Sequence, residues 1–277
     1  MVVSRQSQAK SSAPHVLVVA GTDSSGGAGL VRDVQVITEL GARASCVITA
    51  VTAQTNVRVE ASCVLSPELV TQQLRTALSS QDIRAIKIGM LGNVAIVRAL
   101  LDELPDRSRV PIILDPVLCS SSGVTLLDPE GVQLLRDQLL PRCTLMTPNL
   151  IEASALLGER AARTSAEQAE QAQALLRFGS EAVLLKGGHG SDADSVDVLV
   201  TRAGAPLFLR APRLNVTMRG TGCALSSAIA ALIAAEQGRS GEDNEETRAQ
   251  RERLLESACR GAKSYVHDKL LTLSRSS

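Results

Sequence analysis

His15-Val16-Leu17-Val18-Val19-Ala20-Gly21-Thr22-Asp23-Ser24-Ser25-Gly26-Gly27-Ala28-Gly29 is the stretch from which the fold is read. Its first six residues form a short apolar run with the length of a buried strand, and the run breaks into a polar, glycine-rich loop. From Leu30 to Leu40 apolar residues recur at positions 30, 31, 34, 37 and 40, the spacing of one helix face, and Gly41 closes the segment. Strand, loop and helix in that order make one unit of an α/β sheet.

The same alternation continues along the chain. Strands are expected at 45–52, near 63–65, and at 85–88, 110–114, 144–146 and 182–185, with a hairpin pairing 195–200 and 206–209. Helices are expected at 67–79, 94–104, 151–157, 166–178 and 224–235, with a further helix closing the chain. Strands spaced by helices imply a mainly parallel central sheet covered on both faces. Ligands of such sheets sit beyond the carboxyl ends of the strands. The polar and glycine-rich loops fall there: after Ala20, Ile88, Leu114, Met146 and Leu185. No linker, composition break or internal repeat divides the chain, so 15–277 is read as one domain. Residues 1–14, polar and without an acid, are read as a disordered tail.

The 277 residues carry 29 basic and 29 acidic side chains, a balance that supplies no field for nucleic acid or an anionic membrane. Phe178, Phe208 and Tyr265 are the only aromatic residues, so a flat substrate must be held without an aromatic stack. The six cysteines form no CxxC pair and do not cluster with the three histidines, which argues against a disulfide framework or zinc site. Cys46, Cys63, Cys143 and Cys259 read as packing residues. Free thiols and the lack of a membrane-length apolar run make the cytoplasm the expected location.

Arg219-Gly220-Thr221-Gly222-Cys223 opens the uncharged helix 224–235. A Gly-Thr-Gly turn at a helix start leaves unpaired N–H groups converging on one spot, and the helix dipole adds positive charge there. An anion fits, above all a phosphoryl group in transfer. Arg219 adds a cation, and Cys223 falls in the first turn, where a lowered thiol pKa is expected. The Gly21–Gly29 loop lacks the Lys of a Walker loop and does not fit GxGxxG, so it reads as backbone closing on a compact substrate, with Asp23 and Asp33 as carboxylates. Asp115 to Gly123, ending in Ser120-Ser121-Ser122-Gly123, has the small residues of a mobile lid or of an ordinary surface loop. Asn149 and Glu152, three apart at a helix start, suit Mg²⁺ held through water. They also suit a capping box, and both readings stay open. Lys186-Gly187-Gly188 places a cation at the same sheet edge.

The ordered motifs resemble the hydroxymethylpyrimidine/phosphomethylpyrimidine kinases of thiamine biosynthesis, within the ribokinase-like superfamily. They are Ala20 to Gly29, Val47-Ile48-Thr49-Ala50 with Gln54, Lys87-Ile88-Gly89-Met90-Leu91, and Leu114-Asp115-Pro116-Val117. Thr147 to Ala153, Leu185 to His189, and Gly220 to Cys223 complete the set. The resemblance implies a ribokinase-like three-layer sandwich that phosphorylates the pyrimidine alcohol, its monophosphate, or both, with ATP and Mg²⁺. It places the pyrimidine between the Gly21 loop, with Asp23 and Ala28, and Met90. Gln54 and Asp33 read its polar groups. ATP enters by Asp115, Asn149 and Lys186, with Mg²⁺ near Asn149 and Glu152. The Gly220, Thr221 and Gly222 amides hold the transferring phosphoryl group, with Arg219 beside it, and Cys223 is the base. A homodimer is expected by analogy alone.

Three departures stand out. Arg219 replaces the usual His, the lid lacks its usual Lys, and Gln54 is followed by Thr55-Asn56-Val57-Arg58. Arg219 is expected to replace the lid Lys electrostatically. Two other readings remain: a pyridoxal kinase of the same fold, for which Cys119 in the lid meets an aldehyde, and a non-catalytic pyrimidine binder. A sugar kinase is disfavoured, because that branch normally has Asp where Cys223 stands.

Overall fold

The computed structural model describes residues 13–55, 58–120, 123–188, 194–202, 204–216, 218–236 and 245–275. Residues 1–12 of the expected tail, Asn56, Val57, Ser121, Ser122 and His189 lie outside the described residues.

A nine-stranded sheet organises the molecule, in the order β3-β2-β1-β4-β5-β6-β7-β8-β9. Its strands are β1 (His15–Asp23), β2 (Arg43–Gln54), β3 (Val59–Val64), β4 (Ile83–Ile88), β5 (Ile112–Leu114), β6 (Leu145–Met146), β7 (Ala182–Leu185), β8 (Asp194–Thr201) and β9 (Leu207–Pro212). From β2 across to β7 the pairing is parallel; β3, β8 and β9 join antiparallel at the two edges. Eight α-helices are described: α1 (Gly29–Glu39), α2 (Pro67–Ser80), α3 (Val94–Glu103), α4 (Pro129–Leu134), α5 (Leu150–Leu157), α6 (Ser165–Leu175), α7 (Thr221–Glu236) and α8 (Glu245–Ser274).

Strand β1 shows why the sheet lies in the middle. Leu17 and Val19 enter the core on the α2, α3, α5 and α6 side, whereas Val16, Val18 and Ala20 enter the core made with α1, α7 and α8. All five are buried, so the run is apolar at every position instead of alternating. Burial of each of the four Val and Leu side chains contributes roughly 1.5–3 kcal/mol before chain entropy is set against it. Three layers result, as the strand–helix alternation predicts.

Local signals fix the helix starts. Ser66 accepts the Leu69 N–H ahead of Pro67 in α2, and Asn93 accepts the Ile96 N–H in α3. Helix α4 lies where the sequence reading placed no element. Its signal is Asp128-Pro129-Glu130: Asp128 accepts the Gly131 N–H at 2.6 Å, and Pro129 stands in the first turn. The second strand of the early sequence is also longer than expected, because β3 pairs antiparallel with β2 from Val64 back to Val59. Since β1, β2 and β4 to β7 run parallel, the loops after Asp23, Gln54, Ile88, Leu114, Met146 and Leu185 all emerge at one edge. No helix among the described residues is long and apolar enough to cross a membrane.

Candidate active site

The two glycine loops meet at that edge. Gly220 has φ +70° and opens α7; a Cβ there would stand 2.5 Å from the Gly27 carbonyl oxygen and 3.1 Å from the Ala28 Cα. The Gly220 turn therefore lies directly on the Gly21 loop. That loop is itself closed by a Thr22–Gly29 bridge, and Gly29, at φ +58°, approaches the Gly21 carbonyl where a Cβ would come within 2.5 Å. On its other side a Cβ on Gly21 would reach within 2.8 Å of the Met90 Sδ. Ser24 Oγ donates to the Gln54 carbonyl at 2.9 Å and accepts the Gln54 N–H at 2.8 Å, tying the loop to the end of β2. These contacts link Gly21, Ala28, Gln54, Met90 and Gly220 through the Gly21 loop.

Arg219 lies against the Gly21 loop. Its guanidinium donates to Ser25 Oγ at 3.0 Å and to the Thr55 carbonyl at 2.9 Å, and it stands 3.4 Å from the Asp23 carboxylate. Asp23 is buried and accepts both the Ser25 N–H and hydroxyl at 2.8 Å, which turns the loop. Asp23 and the Thr55 carbonyl thus give the guanidinium acceptors on the Gly21 loop and at the end of β2.

Asp33 departs from its expected role. It is fully buried and receives the Lys87 ammonium at 2.7 Å on one oxygen and the Ser227 hydroxyl at 2.8 Å on the other. This ion pair joins α1, β4 and α7 beneath the site. Burial alone pushes the Lys87 ammonium down, but the Asp33 carboxylate, with Cys223 and Asp115 nearby, outweighs it and holds the ammonium above its ordinary value. Lys87 is the site residue to which the sequence reading gave no role. A Lys between Ile86 and Ile88, the two apolar residues that end the strand, was its signal.

Cys223 sits in the first turn of α7, as expected, yet burial pushes its thiol up to about 11, not down. The Lys87 charge and a hydrogen bond from the Gly29 N–H pull in the expected direction but do not overcome desolvation.

The second half of the site is polar. The Lys186 ammonium contacts Asp115 at 2.6 Å, and a Cβ on Gly222 would stand 3.0 Å from the Lys186 Nζ and 3.6 Å from Asp115 Oδ2. Lys186 therefore faces the Gly220–Gly222 turn directly. Asn149 Oδ1 accepts the Ile151 and Glu152 N–H groups at 2.9 Å, and Glu152 Oε2 accepts the Asn149 N–H at 2.7 Å. The capping box is real, and it uses both lone pairs of the Asn149 amide oxygen. Asn149 thereby becomes the group that orients Glu152. Among the described residues no cluster of three metal-ligating side chains occurs. Glu152 and Asp115, two carboxylates across from an anion loop, fit a Mg²⁺ carried by phosphates and water.

Burial pushes the Glu152 carboxyl up to about 7, with Lys186 opposing and Asp115 adding to the shift. Between an ordinary value near 4.3 and about 7 the folded chain keeps a proton that the unfolded chain releases, so stability falls as pH rises through that window. Glu152→Gln keeps an acceptor for the Asn149 N–H and removes the titration. Its advantage in thermal melting over the natural chain is expected to grow by up to roughly 3 kcal/mol from about pH 5 to about pH 8. A difference that does not change with pH would contradict the buried carboxyl.

Three comparisons bear on this geometry. The profile of the phosphomethylpyrimidine kinase family matches residues 23–243. The hydroxymethylpyrimidine/phosphomethylpyrimidine kinase of Salmonella typhimurium is 45% identical over 219 residues, which are 79% of this chain and 82% of that protein. Its counterpart in Escherichia coli is 43% identical over 218 residues, again 79% and 82% of the two chains. Among solved structures, an ADP complex of Bacillus subtilis pyridoxal kinase superposes with a TM-score of 0.77 at 26% identity, covering 91% of this chain and 90% of that one. The phosphomethylpyrimidine kinase of Clostridium difficile gives a TM-score of 0.67 at 30% identity, covering 88% and 99%.

Proposed function

This chain belongs to the phosphomethylpyrimidine kinase family and is a phosphotransferase, and from that premise we propose that its site transfers the γ-phosphoryl group of ATP to hydroxymethylpyrimidine, its monophosphate, or both. The observation that carries the reading is the contact of Gly220 with Gly27 and Ala28, which joins an anion loop to a substrate loop, with Lys186 facing the same turn. Positioning and charge stabilisation dominate phosphoryl transfer, so a site of this kind needs little covalent chemistry.

In the proposed reaction the pyrimidine ring lies between the Gly21 backbone and Met90, whose thioether supplies a polarizable apolar surface. Gln54 reads its polar edge. Amides of the Gly220–Cys223 turn, at the positive end of α7, hold the transferring group as charge develops on it. Lys186 neutralises phosphate oxygens, and Asp115 fixes where Lys186 points. Cys223 accepts the proton of the substrate alcohol as its oxygen bonds to phosphorus. Mg²⁺, when present, would be held by Glu152 and Asp115 through water and would neutralise phosphate charge. Arg219 ties the substrate loop to the anion loop, so that acceptor and phosphoryl group are held in register.

A pyridoxal kinase activity is the second reading. It is supported by an exposed Cys119 within the 115–123 segment and by the pyridoxal kinase among the structural neighbours. Steady-state ADP release with Mg-ATP and, separately, hydroxymethylpyrimidine, its monophosphate, pyridoxal and pyridoxine tests both. Turnover with either pyrimidine is expected. Turnover with pyridoxal alone would transfer the protein to the second reading, and tight pyrimidine binding without any turnover would make it a binder.

A further inference from the structure

Lys186 is aimed by its flanks, and one flank leads to the last helix. The Lys186 N–H donates to the Pro148 carbonyl at 2.8 Å, continuing the parallel pairing beyond β7. The next residue, Gly187, lies so close to β8 that a Cβ would collide with the Val196 carbonyl. From the α6 side, Gln168 Nε2 donates to the Leu185 carbonyl at 2.8 Å and the Val196 carbonyl at 3.0 Å, clamping strand to strand. From the other side the Gly187 N–H donates to Asp197 Oδ1 at 2.9 Å. The second oxygen of Asp197 receives the Lys263 ammonium of α8 at 2.8 Å, and the same ammonium donates to Ser195 Oγ at 3.2 Å.

Both partners of this pair are largely shielded, with 11% of the Lys263 side chain and 7% of the Asp197 side chain exposed. A carboxylate so placed is held in one orientation only while its charge is matched. Lys263 lies outside the 23–243 match, so nothing in the family profile assigns it a role.

We propose that Lys263 is a positioning residue for nucleotide binding: it orients Asp197, Asp197 fixes the Gly187 amide, and that amide aims Lys186 at the anion loop. The inference rests on the reading that Lys186 faces the nucleotide phosphates. An ion pair that served stability alone would lower the melting temperature and leave ligand affinities in their original ratio. A positioning pair separates the two ligands, because the Asp197 carboxylate bonds lead to Gly187 and Lys263 and not to Gly21, Gln54 or Met90, the residues proposed to hold the pyrimidine.

The test compares Lys263→Met, Lys263→Arg, Asp197→Asn and Lys186→Met in the full chain. ADP affinity is measured by calorimetry and the KM of Mg-ATP and of hydroxymethylpyrimidine by steady-state assay. Lys263→Met is expected to weaken ADP and raise the ATP KM about tenfold, with the pyrimidine KM within about twofold. Lys263→Arg restores most of the loss. Asp197→Asn, which keeps an acceptor for Gly187 and removes only the charge, behaves as Lys263→Met does, and a chain carrying both Lys263→Met and Asp197→Asn is no worse than either single variant. If Lys263→Met does not fold, Asp197→Asn carries the same comparison. Equal shifts for both ligands, or none, would overturn the inference. If Lys186→Met weakens ADP while the Lys263 and Asp197 variants do not, the inference falls alone. If Lys186→Met leaves ADP affinity unchanged, the phosphate-facing reading of Lys186 falls and takes the inference with it.

Discussion

Replacing Cys223 by Ala is expected to lower kcat roughly a thousandfold, the middle of the range for loss of a positioned proton acceptor. ADP affinity should stay within about threefold, since the Gly220–Gly222 amides and Lys186 do not depend on the thiol. The pH dependence carries a second signature. Because burial holds the free thiol up to about 11, kcat/KM for the alcohol should keep rising with pH across the whole accessible alkaline range. The Ala variant loses that rise along with its rate. Equal turnover of the two proteins, or a wild-type profile that is flat in alkali, would remove Cys223 from the chemistry. Cys223→Ser should fall between the two, because a hydroxyl occupies the same first turn of α7 and accepts a proton less readily.

Replacing Lys87 by Met should produce the largest loss of stability. It leaves the Asp33 carboxylate fully buried with only the Ser227 hydroxyl as partner. Removing one member of a buried pair typically costs about 3–5 kcal/mol. At roughly 2–4 °C per kcal/mol for a domain of this size, melting should fall by about 6–20 °C near neutral pH. The loss should shrink in acid, where Asp33 takes up a proton and no longer needs a counter-charge. Adding Asp33→Asn should recover much of it, since the amide keeps an acceptor for Ser227 and buries no charge. Thermal melts of the single and double variants close this cycle. Additive losses would mean that the 2.7 Å contact between Lys87 and Asp33 is not what holds α1 to β4.

The site edge was readable because the sheet is parallel. Once His15–Ala20, Ile83–Ile88 and Ala182–Leu185 are strands spaced by helices, their following loops must gather on one side, and Gly21, Met90 and Lys186 must gather with them. The capping box at Asn149 was equally plain, since both of its members lie within one helical turn. Asp33 is the instructive failure. Its partners Lys87 and Ser227 lie 54 and 194 residues away, and only the packing of α1 against β1, β2 and α7, with the Lys87 side chain reaching it from β4, turns a carboxylate near the glycine loop into a buried strut. The direction of the Cys223 shift failed for a related reason. A helix start lowers a thiol pKa and burial raises it, and local sequence reports the first effect but not the second. Arg219 was visible as a cation beside the anion loop, but its direction depends on Thr55 and Asp23, which tertiary structure alone brings to it.

Phosphorus NMR of the protein with Mg-ATP and hydroxymethylpyrimidine addresses the central claim most directly, because it follows the transferred group itself. The account predicts that the γ-phosphate signal of ATP declines as a phosphomonoester signal of the pyrimidine appears, or as a diphosphate ester appears when the monophosphate is the acceptor. ATP left intact beside either pyrimidine, with both ligands bound, would contradict it.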